Sequence, residues 1–238
     1  MLSDLLLIDI ETVPQEENFN LLSPEWQLLW LDKISKTMPE NTSGEESYKK
    51  RGGILAEFGK IVCISTGFFT KDEQGALSLR IKSIYGNNEA ELLTEFITLC
   101  NKMDCHHKNF QFAGHNIKEF DIPYICRRML INRIPLPEYL QIQDKKPWEI
   151  KMADTLNFWK FGDNKNYISL HLLASVLGIP TSKSDIDGSM VQDVYYKEKN
   201  LERIVEYCQK DVVVTANIIL RFKDLPSLSD NNIIIISG

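Results

Sequence analysis

The 238 residues predict an α/β domain, one mixed β-sheet with helices on its faces. Three observations carry that expectation. The first apolar run, residues 5–12 (LLLIDIET), is short and apolar up to Ile8, as in a buried strand. Residues 60–70 and 76–85 are β-rich and flank Lys71-Asp72-Glu73-Gln74-Gly75, a turn signal that makes them an antiparallel hairpin. Beyond residue 88, strands and helices alternate, the pattern of crossover connections and parallel pairing. The length suits a single domain, and the 43% apolar content can fill its core.

The elements follow in order. Residues 14–58 are a long polar connection after the first strand. Within it, Ser23-Pro24-Glu25 reads as an N-cap, a proline at the first helical position and an early acid, with Trp26, Leu29, Trp30 and Lys33 at helical spacing. A short amphipathic helix is expected there. Residues 41–53, rich in Ser, Gly, Glu and Lys, read as a loop or mobile linker. Residues 88–103 repeat Leu92, Leu93, Phe96, Ile97 and Leu99, the stripe of a helix lying on the sheet. A short strand at 109–114 and a helix at 122–132 enclose the junction His115-Asn116-Ile117-Lys118-Glu119-Phe120-Asp121. Residues 151–154 form a short strand whose Asp154, with Thr155, can cap the turn that follows. A helix over 168–177 stops at Gly178 and Pro180, and helices over 188–199 and 200–222 come after it. Residues 233–236 are an apolar run suited either to an edge strand or to a partner contact. The expected unit is therefore a domain over 1–222, with an insertion at about 14–58, and a C-terminal tail over 223–238.

A net charge of −6 argues against a broad surface that grips duplex nucleic acid by neutralising phosphates. It leaves room for a narrow nucleic-acid site whose positive charge comes from bound metals. The five cysteines form no CxxC pair and mostly lie in apolar runs, as in a reduced cytoplasmic protein. Cys100, Cys105, His106 and His107 cluster, but no second ligand pair stands at zinc-finger spacing. Neither a basic leader nor an apolar run of bilayer length is present, so a soluble, intracellular protein without membrane contact is expected.

Three placements of acid are unusual. Alternate residues of a strand share a face, so Asp9 and Glu11 project together. Carboxylates so close repel unless a cation lies between them; metal binding and plain solvation at a strand exit both suit the pair. In the last helix Asp211 falls on the core face with Ile204, Cys208 and Thr215, and Tyr207 precedes it by one turn. Hydroxyl and carboxylate can then reach one point in space, in a site or in a simple hydrogen bond. Pro123 is tolerated only in a helix's first turn, which places Asp121 at that helix's start as a site acid or a plain N-cap.

Together the sets read Asp9-x-Glu11, Asn116-x-x-x-Phe120-Asp121 and Tyr207-x-x-x-Asp211. In this order DIET, HNIKEFDIPYI and YCQKD resemble the three motifs of the 3′-to-5′ exonuclease domains of family B DNA polymerases and of small stand-alone relatives, in the DEDD superfamily of RNase H-like fold. The resemblance spans about residues 3–222. It implies two divalent cations, Mg²⁺ or Mn²⁺. Asp9, Glu11 and Asp211 would hold one, and Asp9 would bridge to a second that Asp121 supports directly or through water. Tyr207 would orient the attacking water, Asn116 would position the terminal nucleotide or its phosphate, Phe120 would pack behind the site and Thr12 would face the substrate. The implied substrate is a single-stranded or frayed DNA 3′ end, and the product a nucleoside 5′-monophosphate. Trimming of RNA 3′ ends, and a non-catalytic nucleic-acid-binding or scaffold role, are the alternatives. No polymerase motif accompanies the trio, so a separate polymerase or repair partner, or an independent trimming role, is compatible with it.

Other residues invite weaker readings. Lys145, Lys146, Trp148, Lys151, Phe158, Trp159 and Lys160 interleave cations and rings, either a stacking surface for single strands or core aromatics beside solvated lysines. His171 reads as a satisfied core histidine. Asp185-Ile186-Asp187-Gly188 hints at a calcium loop, but Lys183 and Val194 stand where its end ligands belong; a turn into a capped helix fits better.

Overall fold

The computed structural model describes residues 1–37, 39, 42–146, 148–163, 165–181 and 186–236. The opening run extends as β1 (Leu5–Pro14), and the hairpin forms as β2 (Gly59–Lys71) and β3 (Leu77–Tyr85), antiparallel to β1 and to each other in turn. On the other side of β1 lie β4 (Gln111–Gly114) and β5 (Ala153–Asp154), both parallel. At the far edge β6 (Ile233–Ile235) runs parallel to β3, so the terminal isoleucines build an edge strand. The six-stranded order is β5-β4-β1-β2-β3-β6. It is a mixed sheet with flanking helices, as the sequence predicts.

The two faces of β1 sort by parity. Leu6, Ile8 and Ile10 pack into one core with α3 (Glu89–His106) and α4 (Asp121–Ile131) through Leu93, Phe96, Ile122 and Ile125. Leu5 and Leu7 face the other way, onto Val212, Ala216 and Ile219 of α8 (Leu201–Phe222). That helix is capped by Asn200, whose side chain accepts the Arg203 N–H.

The connection after β1 is more ordered than its composition suggests. The expected helix forms as α1 (Pro24–Ile34), with Ser23 accepting the Trp26 N–H. The stretch read as a linker instead holds α2 (Gly44–Arg51), although Asn41 lies outside the described residues. Ser43 caps α2, Glu45 and Glu46 fill its first turn, and Lys49, Lys50 and Arg51 its last, a charge gradient that complements the helix dipole. Trp30 and Tyr48 are buried together, with ring centroids 5.0 Å apart, and the Trp30 indole donates to Ser47 at 2.9 Å. With Phe58 they give the segment a small core of its own.

In the second half, α5 (Thr155–Lys160) and α6 (Leu170–Val176) precede α7 (Val191–Asp193), which continues into a wider π turn over Val194–Glu198. The expected helix over 188–199 is thus shorter and partly π-wound, and ends where Lys199 turns left-handed at φ 52°.

Candidate active site

β1 changes character where β4 stops. Leu5, Leu6 and Leu7 pair with Gln111, Phe112 and Ala113, and then the chain turns away at Gly114. A Cβ on Gly114 would sit 2.1 Å from the Ile117 side chain and 2.9 Å from the Ile8 carbonyl, so only glycine lets the junction fold back this tightly. The next inward N–H of β1, that of Ile10, has lost its strand partner, and Asp121 Oδ1 accepts it at 3.2 Å. Asp121 is therefore more than a helix start. The helical cap itself is Phe120, which makes no side-chain cap bond.

On the α8 side, Asp9 and Glu11 continue the face of Leu5 and Leu7, opposite Ser65 and Cys63 of β2. Oxygens of Asp9 and Glu11 and the Cys208 sulfur lie within 4.8 Å of one another, and the Cys208 thiol donates to the Asp9 backbone carbonyl at 3.3 Å. Tyr207 and Asp211 project toward the same place from α8, hydroxyl against carboxylate. Asp211 and Asp121 both act on Asp9 through their charge, which makes Asp9 the centre of the group.

Burial, reinforced by Asp211 and Asp121, lifts the Asp9 carboxyl well above the usual carboxylate range. Burial and the Asp9 charge do the same to Glu11. Asp121 is pushed up to about 7, chiefly by burial, with the Ile10 hydrogen bond pulling the other way. Asp211 is raised by burial, offset by His171 and the Tyr207 hydroxyl. Burial, then the charges of Asp211, Glu11 and Asp9, drive the Tyr207 hydroxyl far above the ordinary tyrosine value, so it stays protonated. Asp9 Oδ2 is enclosed and has no hydrogen-bond partner. An enclosed, unpartnered carboxylate oxygen among buried acids whose carboxyls burial raises suits a hard divalent cation.

The other expected residues surround this group. Asn116 adopts a left-handed conformation at φ 61°, one that asparagine tolerates, and its Oδ1 is buried without a partner. Phe120 is half-buried against the α3–α4 core, its ring 5.5 Å from that of Tyr124. Thr12 is half-buried opposite Ile61, just past the register shift that follows Glu11.

Two site features were not evident from sequence. Asp154 caps α5 as expected, accepting Leu156 N–H at 2.9 Å and Asn157 N–H at 3.3 Å. It also accepts the N–H groups of Asn116 at 3.0 Å and Lys118 at 3.1 Å, so it holds the junction in shape. No spacing rule links residues 38 apart in the chain. His171, expected in the core, is exposed in α6 and sits near enough to bias both Asp211 and Asp187. Its apolar neighbours in the sequence, Leu173 and Ala174, take the buried side of a helix only seven residues long.

The interleaved cations and rings of 145–160 scatter. Trp148 is exposed under Lys146, Phe158 packs edge-on against Phe222, Trp159 is half-buried on the α6–α8 core, and Lys160 pairs with Glu119 at 3.4 Å. Asp187 accepts the N–H and hydroxyl of Ser189, a turn leading toward α7; Lys183 and Asp185 lie outside the described residues.

Among the described residues, no helix is long and apolar enough to cross a membrane. No curated protein sequence matches the chain. Its fold is similar to part of the family B DNA polymerase of the hyperthermophilic archaeon Pyrobaculum calidifontis, with a TM-score of 0.56 and 14% identity. The likeness covers 92% of this chain and 24% of the polymerase, so the chain spans about a quarter of that enzyme. At this identity the likeness is one of fold, the RNase H-like arrangement of the polymerase exonuclease domain. A family model described as a predicted 3′-5′ exonuclease related to the exonuclease domain of PolB matches residues 54–232, which include Asn116, Asp121, Tyr207 and Asp211 but begin after β1. With three quarters of its length matched and a fold to suit, the chain belongs to that family of predicted PolB-related exonucleases.

Proposed function

We propose that the protein is a metal-dependent 3′-5′ exonuclease that removes nucleoside 5′-monophosphates from single-stranded or frayed DNA 3′ ends. The observation that carries this is the convergence of Asp9, Glu11, Asp121 and Asp211 from three separate elements around an unpartnered Asp9 oxygen. Asp9, Glu11 and Asp211 are the residues to hold one divalent ion, with Asp9 and Asp121 facing a second. Bound there, such ions supply Lewis-acid stabilisation of the charge that develops on the phosphate and on the departing oxygen.

The chain's own residues do the rest. Tyr207, kept protonated by burial and by its acidic surroundings, orients the attacking water through its hydroxyl and does not serve as the base. Asn116 offers its unpartnered Oδ1 to a donor on the terminal nucleotide, such as a sugar hydroxyl. Asp154 fixes that asparagine's backbone, and Phe120 fills the volume behind it.

The test is a time course of a 5′-labelled single-stranded oligonucleotide with Mn²⁺, with and without chelator, beside Asp9→Ala and Tyr207→Phe. The expected result is a metal-dependent ladder shortening from the 3′ end. Asp9→Ala should lose about three orders of magnitude in rate, as several kcal/mol of charge stabilisation implies, and Tyr207→Phe about tenfold. Full activity in Asp9→Ala would remove the two-ion mechanism. Matched DNA and RNA strands in the same assay separate the two polymer classes, and no cleavage of either would leave a binding role.

A further inference from the structure

Between α5 and α6 the chain makes an excursion that the fold does not use for packing. Phe161 is 88% exposed and Tyr167 68% exposed, and neither ring stacks on another aromatic among the described residues. Phe161 is held left-handed at φ 45° and ψ 35°, a conformation rare for a bulky residue and ordinary for the Gly162 that follows. A helix end that only had to stop would place glycine there. Strain at an exposed ring is a feature to be explained by what the ring does.

Both ends of the excursion are tied to His115, in the junction that carries Asn116. His115 Nδ1 lies 2.9 Å from Thr155 Oγ1 before it, and His115 Nε2 donates to the Ile168 carbonyl at 3.0 Å after it. Lys160, immediately before Phe161, pairs with Glu119 at 3.4 Å, between Asn116 and Asp121 in the chain. Downstream, Leu173 and Ala174 of α6 join Val214 and Ile218 of α8, one to two turns beyond Asp211. The excursion thus joins the two elements that flank the acids. Its described charges are Lys160, which pairs with Glu119, and the exposed Asp163 and Lys165; Asp163 accepts the Lys165 backbone N–H. In a chain of net charge −6 this is a charge-balanced aromatic strip that carries an exposed lysine, Lys165.

We infer that this strip is the landing surface for the unpaired 3′ end, with Phe161 and Tyr167 stacking bases and Lys165 meeting a phosphate; the inference rests on the exonuclease reading. Exposed rings can stack only on bases freed from a duplex, so the strip selects single-stranded or frayed ends. Scattered exposed aromatics need no explanation, but these two share one excursion, one of them is strained, and the excursion is anchored to His115 and Glu119, the chain neighbours of Asn116 and Phe120.

The experiment compares wild type with Phe161→Gly, Tyr167→Ala and the double variant on two substrates: a single-stranded oligonucleotide and the p-nitrophenyl ester of thymidine 5′-monophosphate. The ester reads the acid cluster without a strand. Glycine suits the left-handed backbone, so Phe161→Gly removes the ring without endangering the fold. The expected result is a rise of at least about tenfold in oligonucleotide KM for the double variant, with kcat much less affected and with selectivity shifting toward the ester. Phe161→Trp should restore the KM. An unchanged oligonucleotide KM in the double variant, with the ester hydrolysed, overturns the inference and leaves the nuclease reading standing. If wild type cleaves neither substrate, the nuclease reading fails, and fluorescence anisotropy with labelled single strands and duplexes decides the strip alone. Tenfold weaker single-strand binding by the double variant would uphold it, and equal binding, or equal preference for duplex, would overturn it.

Discussion

The two halves of β1 are built from one strand against one helix, yet they do opposite things. Leu5 and Leu7 press on Val212, Ala216 and Ile219, while two residues further along Asp9 and Glu11 face Tyr207 and Asp211. The backbone of the first half is paired on both sides, by β2 and β4. In the second half β4 has gone and a carboxylate takes its place on the Ile10 N–H. The difference teaches how this fold gathers its acids: it ends one strand early and lets the same sheet–helix contact run on from apolar to acidic. Asp121 is then both a member of the acid cluster and a repair to the sheet.

The contrast can be broken from the apolar side. Leu7→Ala empties a fully buried position and should cost about 2–5 kcal/mol in chemical denaturation, with cleavage per folded molecule unchanged. A variant as stable as wild type would mean that the first half is not the structural half.

A smaller effect separates the two duties of Asp121. Asp121→Ala leaves the Ile10 N–H buried without an acceptor and should cost about 1–3 kcal/mol. Asp121→Asn keeps an acceptor and removes a charge, so it should regain most of that stability while cleavage stays impaired. Equal destabilisation by both would show that the hydrogen bond is not what the sheet needs.

The smallest effect is in pH. The Asp121 carboxyl stands at about 7 in the fold against 3.8 when free, and Asp9 and Glu11 are raised too. Between those values the unfolded chain has released its protons and the folded one retains them, so stability is greatest at the acid end and falls as pH rises. In chelator the melting temperature should therefore drop from about pH 5 to about pH 8, and millimolar Mg²⁺ should restore about 2–4 °C at the upper end and less at the lower. A flat or rising profile without metal would contradict the crowding of these acids.

What the sequence made legible was whatever acts locally. The hairpin, the Ser23 cap and the Tyr207–Asp211 turn depend on neighbours a few residues apart, and the acids stood out because they interrupt apolar faces. Long-range work was hidden. Glu89 accepts Ile61 N–H at 2.7 Å and is gripped by buried Arg128 at 2.6 Å, locking α3 and α4 to β2, yet neither residue departs from what a surface helix carries. The helix over Gly44–Arg51 was masked by its polarity: its one buried large side chain, Tyr48, finds Trp30 only in three dimensions. The Ser43 cap and the charge gradient from Glu45 to Arg51 are local signals of that helix, which a reading by composition alone passes over. His171 erred the other way, since apolar neighbours say nothing about which side of a short helix a residue takes.

The strand at Ile233–Ile235 also bears on how the protein behaves in a crowded solution. Cys63 to Phe68 of β2 are sheltered by a strand on either side, but the outer rim of β3 would otherwise offer Leu79 to Ile81 as a bare template for another chain. The terminal segment covers that rim, fastened by Asn232 to the Leu77 carbonyl at 2.6 Å and by the Ile236 N–H to the Ile81 carbonyl at 2.8 Å. Cutting the chain after the last long helix would leave every acid in place and strip this guard, so the damage would surface as self-association and precipitation before any loss of chemistry.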